Sequence, residues 1–355
     1  MNLKEFFTAD AIAANWTEAS AALSPYLGAG LFPPRKKAGL DLTWLKGSGG
    51  LPVSLAPSPF DAHAPLRNPI GFDQLEAEMP FFREGFRLTE RDRQELLRAA
   101  NASDPYAQAM MEHIFDGVYD LIAAANVVPE RMICQLLFPA DGNMGISIKA
   151  NGADYTYQYD ADGTWKNSNY FALESDAAWS NAAAADPFLN FKTAMDAVRT
   201  RTGSEITTAI MNTNTFNLMA KTNALKERFL SASGAARAFL SDDEVRTVVK
   251  NTSRLQVALY DRMYRDESRT ARAFVPDGYV CLIPDGALGA TWYGTTPEEA
   301  DLSAAQNADV AVVNTGVAIS RVVGEHPVNI TTFASEIVLP SFERMDEVAV
   351  LKVCT

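Results

Sequence analysis

The chain has 355 residues, of which 47% are hydrophobic and 21% charged, a globular balance that excludes wholesale disorder. Its formal net charge of −13 makes it a poor candidate for tight nucleic-acid binding, which depends on Lys and Arg neutralising phosphates. The sequence contains no run of about 18 apolar residues, so no transmembrane span is predicted. We expect no signal peptide, because the first residues are too charged. Cys134, Cys281 and Cys354 lack the spacing of a disulfide framework or a zinc site and indicate a reducing compartment.

The first 80 residues combine one short helix with a long stretch that has no helical period. Residues 9–24 are predicted to be helical, because Ile12 and Trp16 fall on one face. The helix should end before Pro25, since the residue before a proline avoids the α region. Residues 26–80 are rich in Pro and Gly, which is unusual within a compact domain.

This Pro- and Gly-rich stretch nevertheless contains short strand signals and many large apolar residues. Residues 40–45 alternate like a strand, residues 47–50 form a Gly-rich tip, and residues 51–55 are predicted to return as an edge strand. The apolar residues are Trp44, Leu45, Phe60, Phe72, Phe81 and Phe82. We therefore predict an extended arm and hairpin that bury these groups on neighbouring subunits.

The middle of the chain carries the longest helical pattern. A helix is predicted over residues 89–98, and a second begins at Pro105 and continues to Ala125 with apolar residues at three- and four-residue spacing. Pro129 is expected to break or kink it, with residues 130–138 adding about two turns. A hairpin is then predicted from strands 145–150 and 154–159, because Asn151-Gly152 between them is a strong turn signal.

The second half alternates short helices and strands, so the fold class is predicted to be α+β. The predicted helices cover residues 187–201, 213–220 and 242–251, and the predicted strands cover residues 204–211, 255–260, 279–283, 316–323, 328–339 and 346–353. A charged hairpin through residues 264–269 is expected to join strands 255–260 and 279–283.

No pattern in the sequence predicts a catalytic, cofactor-binding or metal site. His63, His113 and His326 lie in separate segments without partners at metal-ligand spacing. The segment Asp160-Ala-Asp-Gly163 is too short for a calcium loop and is better explained as a β-turn. The Gly-rich segments lack the Lys-Ser/Thr of a phosphate-binding loop. An acidic cytoplasmic hydrolase therefore remains only an alternative, without paired catalytic candidates.

Several segments occur in an order that a family shares. Near the C-terminus these are Phe274-Val-Pro-Asp-Gly-Tyr279, Asp285-Gly-Ala-Leu-Gly-Ala-Thr-Trp-Tyr-Gly294, Pro327-Val-Asn-Ile-Thr-Thr-Phe333 and Asp346-Glu-Val-Ala-Val-Leu-Lys-Val353; near the start they are Leu31-Phe-Pro33, Gly39-Leu-Asp-Leu-Thr-Trp-Leu-Lys-Gly47, Leu51-Pro-Val-Ser-Leu55, Ala64-Pro-Leu-Arg67 and Glu78-Met-Pro-Phe-Phe82. Together they resemble the lambda E-type major capsid proteins of tailed phages, over nearly the whole chain.

The resemblance implies an HK97-like capsid fold, in which the parts of the chain have separate roles. Residues 1–37 would form the N-terminal arm and residues 38–85 the extended loop. Residues 86–187, with the long spine helix, and the C-terminal strands in residues 311–355 would form the peripheral domain. Residues 188–310 would form the axial domain.

The implied function is that of the major capsid protein of a tailed double-stranded DNA bacteriophage. Copies of the chain would form hexamers and pentamers of an icosahedral shell, with a separate scaffolding protein, a portal and a possible decoration protein as partners. The shell would assemble in the host cytoplasm and enclose DNA without sequence-specific binding and without a membrane or cofactor. An encapsulin-like compartment shell is the alternative. The candidates for intersubunit contact are Phe32, Arg35, Lys36, Lys37, Trp44, Lys46, Leu51, Val53 and Phe60.

Overall fold

A computed structural model of the protein describes residues 8–20, 24–46, 73–92, 94, 105–150, 153–233, 240–302, 308–324 and 329–354. The chain divides into two compact units, each built from three separate stretches. Unit 1 comprises Met1–Leu42, Glu76–Met132 and Ala290–Ser341, and unit 2 comprises Thr43–Leu75, Ile133–Gly289 and Phe342–Thr355. Both units mix helices and strands, which confirms the predicted α+β class.

The helices agree with the sequence prediction in most places. They are α1 (Ala9–Ser20), α2 (Leu27–Leu31), α3 (Pro105–Leu137), α4 (Thr164–Asn169), α5 (Pro187–Thr202), α6 (Thr213–Lys221), α7 (Asn223–Ser233), α8 (Asp242–Ser253) and α9 (Pro297–Asp301). Helix α5 shows why: the Asp186 side chain caps its first turn, accepting hydrogen bonds from two backbone N–H groups, and Gly203 ends it with a positive φ of 77°. Helices α2, α4 and α7 had no prediction.

The strands are more numerous than the sequence predicts. They are β1 (Pro34–Lys36), β2 (Asp41–Lys46), β3 (Asp73–Glu78), β4 (Phe81–Leu88), β5 (Gly145–Ala150), β6 (Ala153–Gln158), β7 (Tyr170–Ala172), β8 (Ile206–Met211), β9 (Gln256–Leu259), β10 (Met263–Arg265), β11 (Ala271–Ala273), β12 (Tyr279–Pro284), β13 (Ala290–Tyr293), β14 (Ala308–Val313), β15 (Val317–Val323), β16 (Ile330–Ser341) and β17 (Ala349–Lys352). The predicted hairpin β5–β6 is confirmed, with Ala150 opposite Ala153.

Unit 1 is organised around a six-stranded sheet in the order β1-β13-β16-β15-β14, with β4 pairing along β16. Strand β1 joins in parallel and the other neighbours are antiparallel. Helices α1 and α3 cover this sheet through a cluster that includes Ile12, Trp16, Val118, Ile122 and Ile319, all buried. The predicted apolar face of the first helix is therefore confirmed.

Unit 2 contains a five-stranded sheet in the order β7-β17-β12-β8-β9. Its core buries Phe188, Phe191 and Val198 of α5 against strands β8, β12 and β17 and helix α8. The Phe191 ring meets the Trp179 ring edge-on, with centroids 5.6 Å apart. The residues of α5 at three- and seven-residue spacing thus form its buried face.

Of the predicted break or kink at Pro129, the break is wrong, because α3 continues as one helix from Pro105 to Leu137. Proline removes one backbone hydrogen bond and crowds the preceding turn. Buried side chains lie on both sides of it, among them Ile122, Ala125, Met132 and Ile133. Burial of apolar area on both sides offsets the loss at the proline.

The expected pairing of residues 255–260 with 279–283 through a charged hairpin is also corrected. Strand β8 lies between β9 and β12, pairing in parallel with the first and antiparallel with the second. The charged hairpin instead forms its own ribbon, β10–β11. The sequence carries the strand signals but not the order of the strands.

Candidate assembly surface

The stretch from α2 to β1 is held firmly against unit 1. The backbone N–H of Gly28 donates to the Glu130 carboxylate over 2.8 Å, in a buried position. Phe32 has 0% exposure, and its carbonyl accepts a 3.0 Å hydrogen bond from the Thr291 hydroxyl. The Phe32 side chain is thus buried by its own chain, while the backbone continues into edge strand β1.

Strand β1 and the residue that follows it, Lys37, present three basic side chains beside this anchor. Arg35 lies over the Trp292 ring, with the guanidinium carbon 5.6 Å from the ring centroid. The Lys36 Nζ lies 2.5 Å from a Glu299 carboxylate oxygen, and the Lys37 Nζ donates to the carbonyl of residue 41. Arg35 and Lys36 are exposed. Such contacts contribute little to stability, but they give the basic groups a fixed orientation.

The short helix α9 carries two glutamates that form ion pairs with basic residues of strands β1 and β4. Glu299 pairs with Lys36 of β1, and Glu298 pairs with Arg83 of β4. Thr296 caps the helix by accepting a hydrogen bond from the Glu299 N–H. Glu298 is almost fully buried, so its ion pair with Arg83 links β4 firmly to α9.

A cavity of about 280 Å³ opens beside α9. Its lining residues are Arg83, Pro297, Glu298, Asp301, Leu302, Ser320, Val322 and Phe333. The lining includes neither His nor Cys, and its cation is already paired with Glu298.

The remaining contact candidates lie on or beyond strand β2. Trp44 is 7% exposed and packs on Tyr159, with ring centroids 5.3 Å apart. Lys46 is the last residue of β2, and its side chain lies outside the described part of the chain. Leu51, Val53 and Phe60 lie outside the described residues as well. The exposed basic residues of β1 are thus brought together, whereas Trp44 is buried in unit 2.

The sequence interpretation missed a buried carboxyl group in β16. Glu336 is 1% exposed, and neither of its oxygens has a hydrogen-bond partner among the described residues. Burial raises the pKa of Glu336 well above its ordinary value. Tyr293 is also buried, and the pKa of its hydroxyl is raised by this burial and by the nearby Glu336. A single acidic residue within the apolar run Ala334–Leu339 was the available signal.

The calcium-like segment at residues 160–163 has a structural explanation, whereas the three histidine side chains lie outside the described part of the chain. The predicted β-turn at residues 160–163 is confirmed, because the Gly163 N–H donates to the Asp160 carbonyl over 3.4 Å. The Asp160 carboxylate accepts 2.9 Å hydrogen bonds from the N–H groups of Trp165 and Lys166. His63, His326 and the side chain of His113 lie outside the described residues. Among the described side chains, no group of three or more His, Cys, Asp or Glu could hold a metal ion.

Within the part of the chain that the structure describes, no helix is both long enough and apolar enough to cross a bilayer.

Comparison with known proteins identifies the family. Residues 8–353 match the family described as phage major capsid protein E. No curated protein matches the chain. Among solved structures, the putative capsid protein of a prophage of Escherichia coli CFT073 is 12% identical, with a TM-score of 0.63 over 98% of this chain and 99% of the other.

Two further structures have the same fold. A phage-related protein from Bordetella bronchiseptica RB50 is 12% identical, with a TM-score of 0.55 and 96% of each chain covered. The capsid asymmetric unit of cyanophage A-1(L) gives 13% identity and a TM-score of 0.50, covering 92% of this chain and 91% of that one.

The fold is thus the HK97-like capsid fold. The chain belongs to the phage major capsid protein E family, a family of structural proteins of the virion.

Proposed function

We propose that copies of this chain assemble as hexamers and pentamers into the icosahedral head shell of a tailed phage, which encloses its double-stranded DNA. The observation that carries the proposal is the family match from residue 8 to residue 353, which includes both compact units. The net charge of −13 supports a container that holds DNA without binding it tightly. A separate scaffolding protein, a portal and a decoration protein are the proposed partners, and assembly is proposed to occur in the host cytoplasm.

Within such a shell, we propose that residues 1–37 act as the arm and residues 38–85 as the extended loop of each subunit, with the spine helix and C-terminal strands in the peripheral domain and residues 188–310 in the axial domain. Support comes from β1, where Arg35 and Lys36 are exposed and oriented by contacts within their own chain. Weak contacts of this kind suffice, because a closed shell multiplies them.

Electron microscopy of the protein, expressed alone and together with neighbouring phage genes, tests the proposal. Closed shells, tubes, or rings of five or six subunits are the expected result. Small discrete particles in both preparations would contradict it.

The contribution of the extended loop can be tested separately. Deletion of residues 46–53 should leave subunits folded but prevent shell closure, because this segment holds a Gly-rich tip and the contact candidates Leu51 and Val53. Circular dichroism would report folding, and microscopy would report closure. Normal shells from the deletion variant would show that the loop tip is dispensable.

A further inference from the structure

Strands β10 and β11 form an antiparallel ribbon that belongs to neither of the two larger sheets. Met263 lies opposite Ala273 and Arg265 opposite Ala271, and neither strand pairs with a further described strand. A two-stranded ribbon on its own is only marginally stable in water. Its persistence in this fold therefore needs support from its base, from its turn, or from a partner.

Hydrogen bonds clamp the base of the ribbon to the start of helix α6. The Thr213 hydroxyl donates to the Asp261 carboxylate over 2.5 Å, and the Thr213 N–H donates to the same group over 2.7 Å. On the other side, the Asn212 side-chain amide donates to the Asp277 carboxylate over 2.5 Å. The Phe274 ring packs on Tyr264, with centroids 4.8 Å apart. Both ends of the ribbon are thus fixed in unit 2.

The turn of the ribbon is organised by a single side chain. The Asp266 carboxylate accepts hydrogen bonds from the N–H groups of Ser268 and Thr270, at 3.0 Å and 2.9 Å, and from the Arg272 guanidinium at 3.1 Å. The ribbon therefore has a defined shape before any partner arrives. A preorganised element loses less conformational entropy on binding.

The outer surface of the ribbon combines an apolar residue with free basic groups. Met263 is 63% exposed, and strand β11 is exposed throughout. Arg265 and Arg269 are exposed, and neither pairs with a carboxylate within the described residues. Residues 261–273 contain four arginines and three carboxylates, although the whole chain has a net charge of −13. With one more arginine than carboxylates, the ribbon is positively charged on a protein whose net charge is negative.

We propose that the β10–β11 ribbon is an assembly contact that docks on an acidic surface of a second copy of this chain. The proposal rests on the proposed self-assembly, which supplies the second copy. Charge complementarity favours that partner, because the whole chain has a net charge of −13 whereas the ribbon has more arginines than carboxylates. DNA is the less suitable partner, since the carboxylates of Asp266 and Glu267 would be repelled by its phosphates. The apolar side chain of Met263 would also make no favourable contact with a phosphate group.

Photocrosslinking from the ribbon tests the contact directly. The photoreactive residue p-benzoylphenylalanine replaces Met263 in one variant and Leu189 in a matched control, since Leu189 is also a large exposed residue of unit 2, at 59% exposure. Irradiation of assembled shells should link two copies of the 38.6 kDa chain from position 263. Unassembled subunits should give no such product, and mapping should place the attached peptide on an acidic surface.

The possible failures are distinct. Wild-type protein that never assembles would contradict the proposed shell function, and this proposal with it. If wild-type protein and both variants assemble, no product from position 263, or as much product from position 189, would overturn the ribbon contact alone. A nuclease-sensitive product would identify DNA as the partner instead.

A charge reversal provides a second test that does not depend on the photoreactive residue. Arg265→Glu should lower the fraction of protein assembled by roughly fivefold, because it places a carboxylate against an acidic surface. Arg246→Glu on α8 is the control, since Arg246 is exposed in the same unit and lies outside the ribbon. Equal assembly by both variants would overturn the proposal.

Discussion

Glu336→Gln should increase the free energy of unfolding at neutral pH and should flatten its dependence on pH. Glu336 is buried in β16, and neither oxygen has a hydrogen-bond partner among the described residues. Burial disfavours the charged form, so the pKa of Glu336 in the folded protein lies well above its ordinary value. The folded protein therefore keeps this proton at pH values where the unfolded chain has already released it.

The sign and size of the effect follow from this difference in bound protons. Because the folded-state pKa is the higher one, the stabilising contribution is complete below the unfolded-state value of about 4.3 and is lost as the pH rises through the folded-state pKa. Between these two values, the slope is about 1.4 kcal/mol per pH unit for one proton. Glutamine has no such proton, so the stability gained over wild type should grow by about 1.4 kcal/mol per unit across that window.

Urea unfolding of unassembled subunits across this pH window would measure the effect. Other titrating groups are common to both proteins, so the difference between the two curves isolates Glu336. Glu84→Gln is the matched control, because Glu84 is exposed on β4, opposite Ala334 of the same strand β16. Parallel stability curves for wild type and Glu336→Gln, or an equal gain from Glu84→Gln, would refute burial of a protonated carboxyl group.

Three further substitutions probe the framework of the subunit. Phe191→Ala should lower the free energy of unfolding by about 3–5 kcal/mol, since it empties a fully buried position against Trp179. A shift of the urea midpoint worth less than about 1 kcal/mol would contradict that packing. Asp186→Ala should cost about 1 kcal/mol through loss of the α5 cap, measured the same way, and an unchanged midpoint would show that the cap is not needed. Lys36→Ala should change the free energy of unfolding by less than about 1 kcal/mol, because the ion pair of Lys36 with Glu299 is partly exposed. The same substitution should reduce the yield of shells. A large fall in the thermal unfolding temperature would instead show that Lys36 has a structural role.

Local signals predicted the elements that depend on neighbouring residues alone. Helix α5 was found because Asp186-Pro187 marks its start, and the β5–β6 hairpin because Asn151-Gly152 is a strong turn signal. The candidate contact residues differ in how exposed their side chains are in the structure. Arg35 and Lys36 are exposed on β1, whereas Trp44 is buried, because burial depends on what the rest of the chain places over a residue.

The amino-acid sequence by itself determined the α+β class, most helices and the family, since these follow from periodicity, caps, turns and the order of short motifs. Only the tertiary structure decided that α3 continues through Pro129 and that β8 separates β9 from β12. It also decided that Glu336 is buried with no hydrogen-bond partner among the residues that the structure describes. Each of these depends on contacts between residues far apart in the chain. Packing at such distances can outweigh a local preference of a few kcal/mol, so no local pattern reveals the outcome.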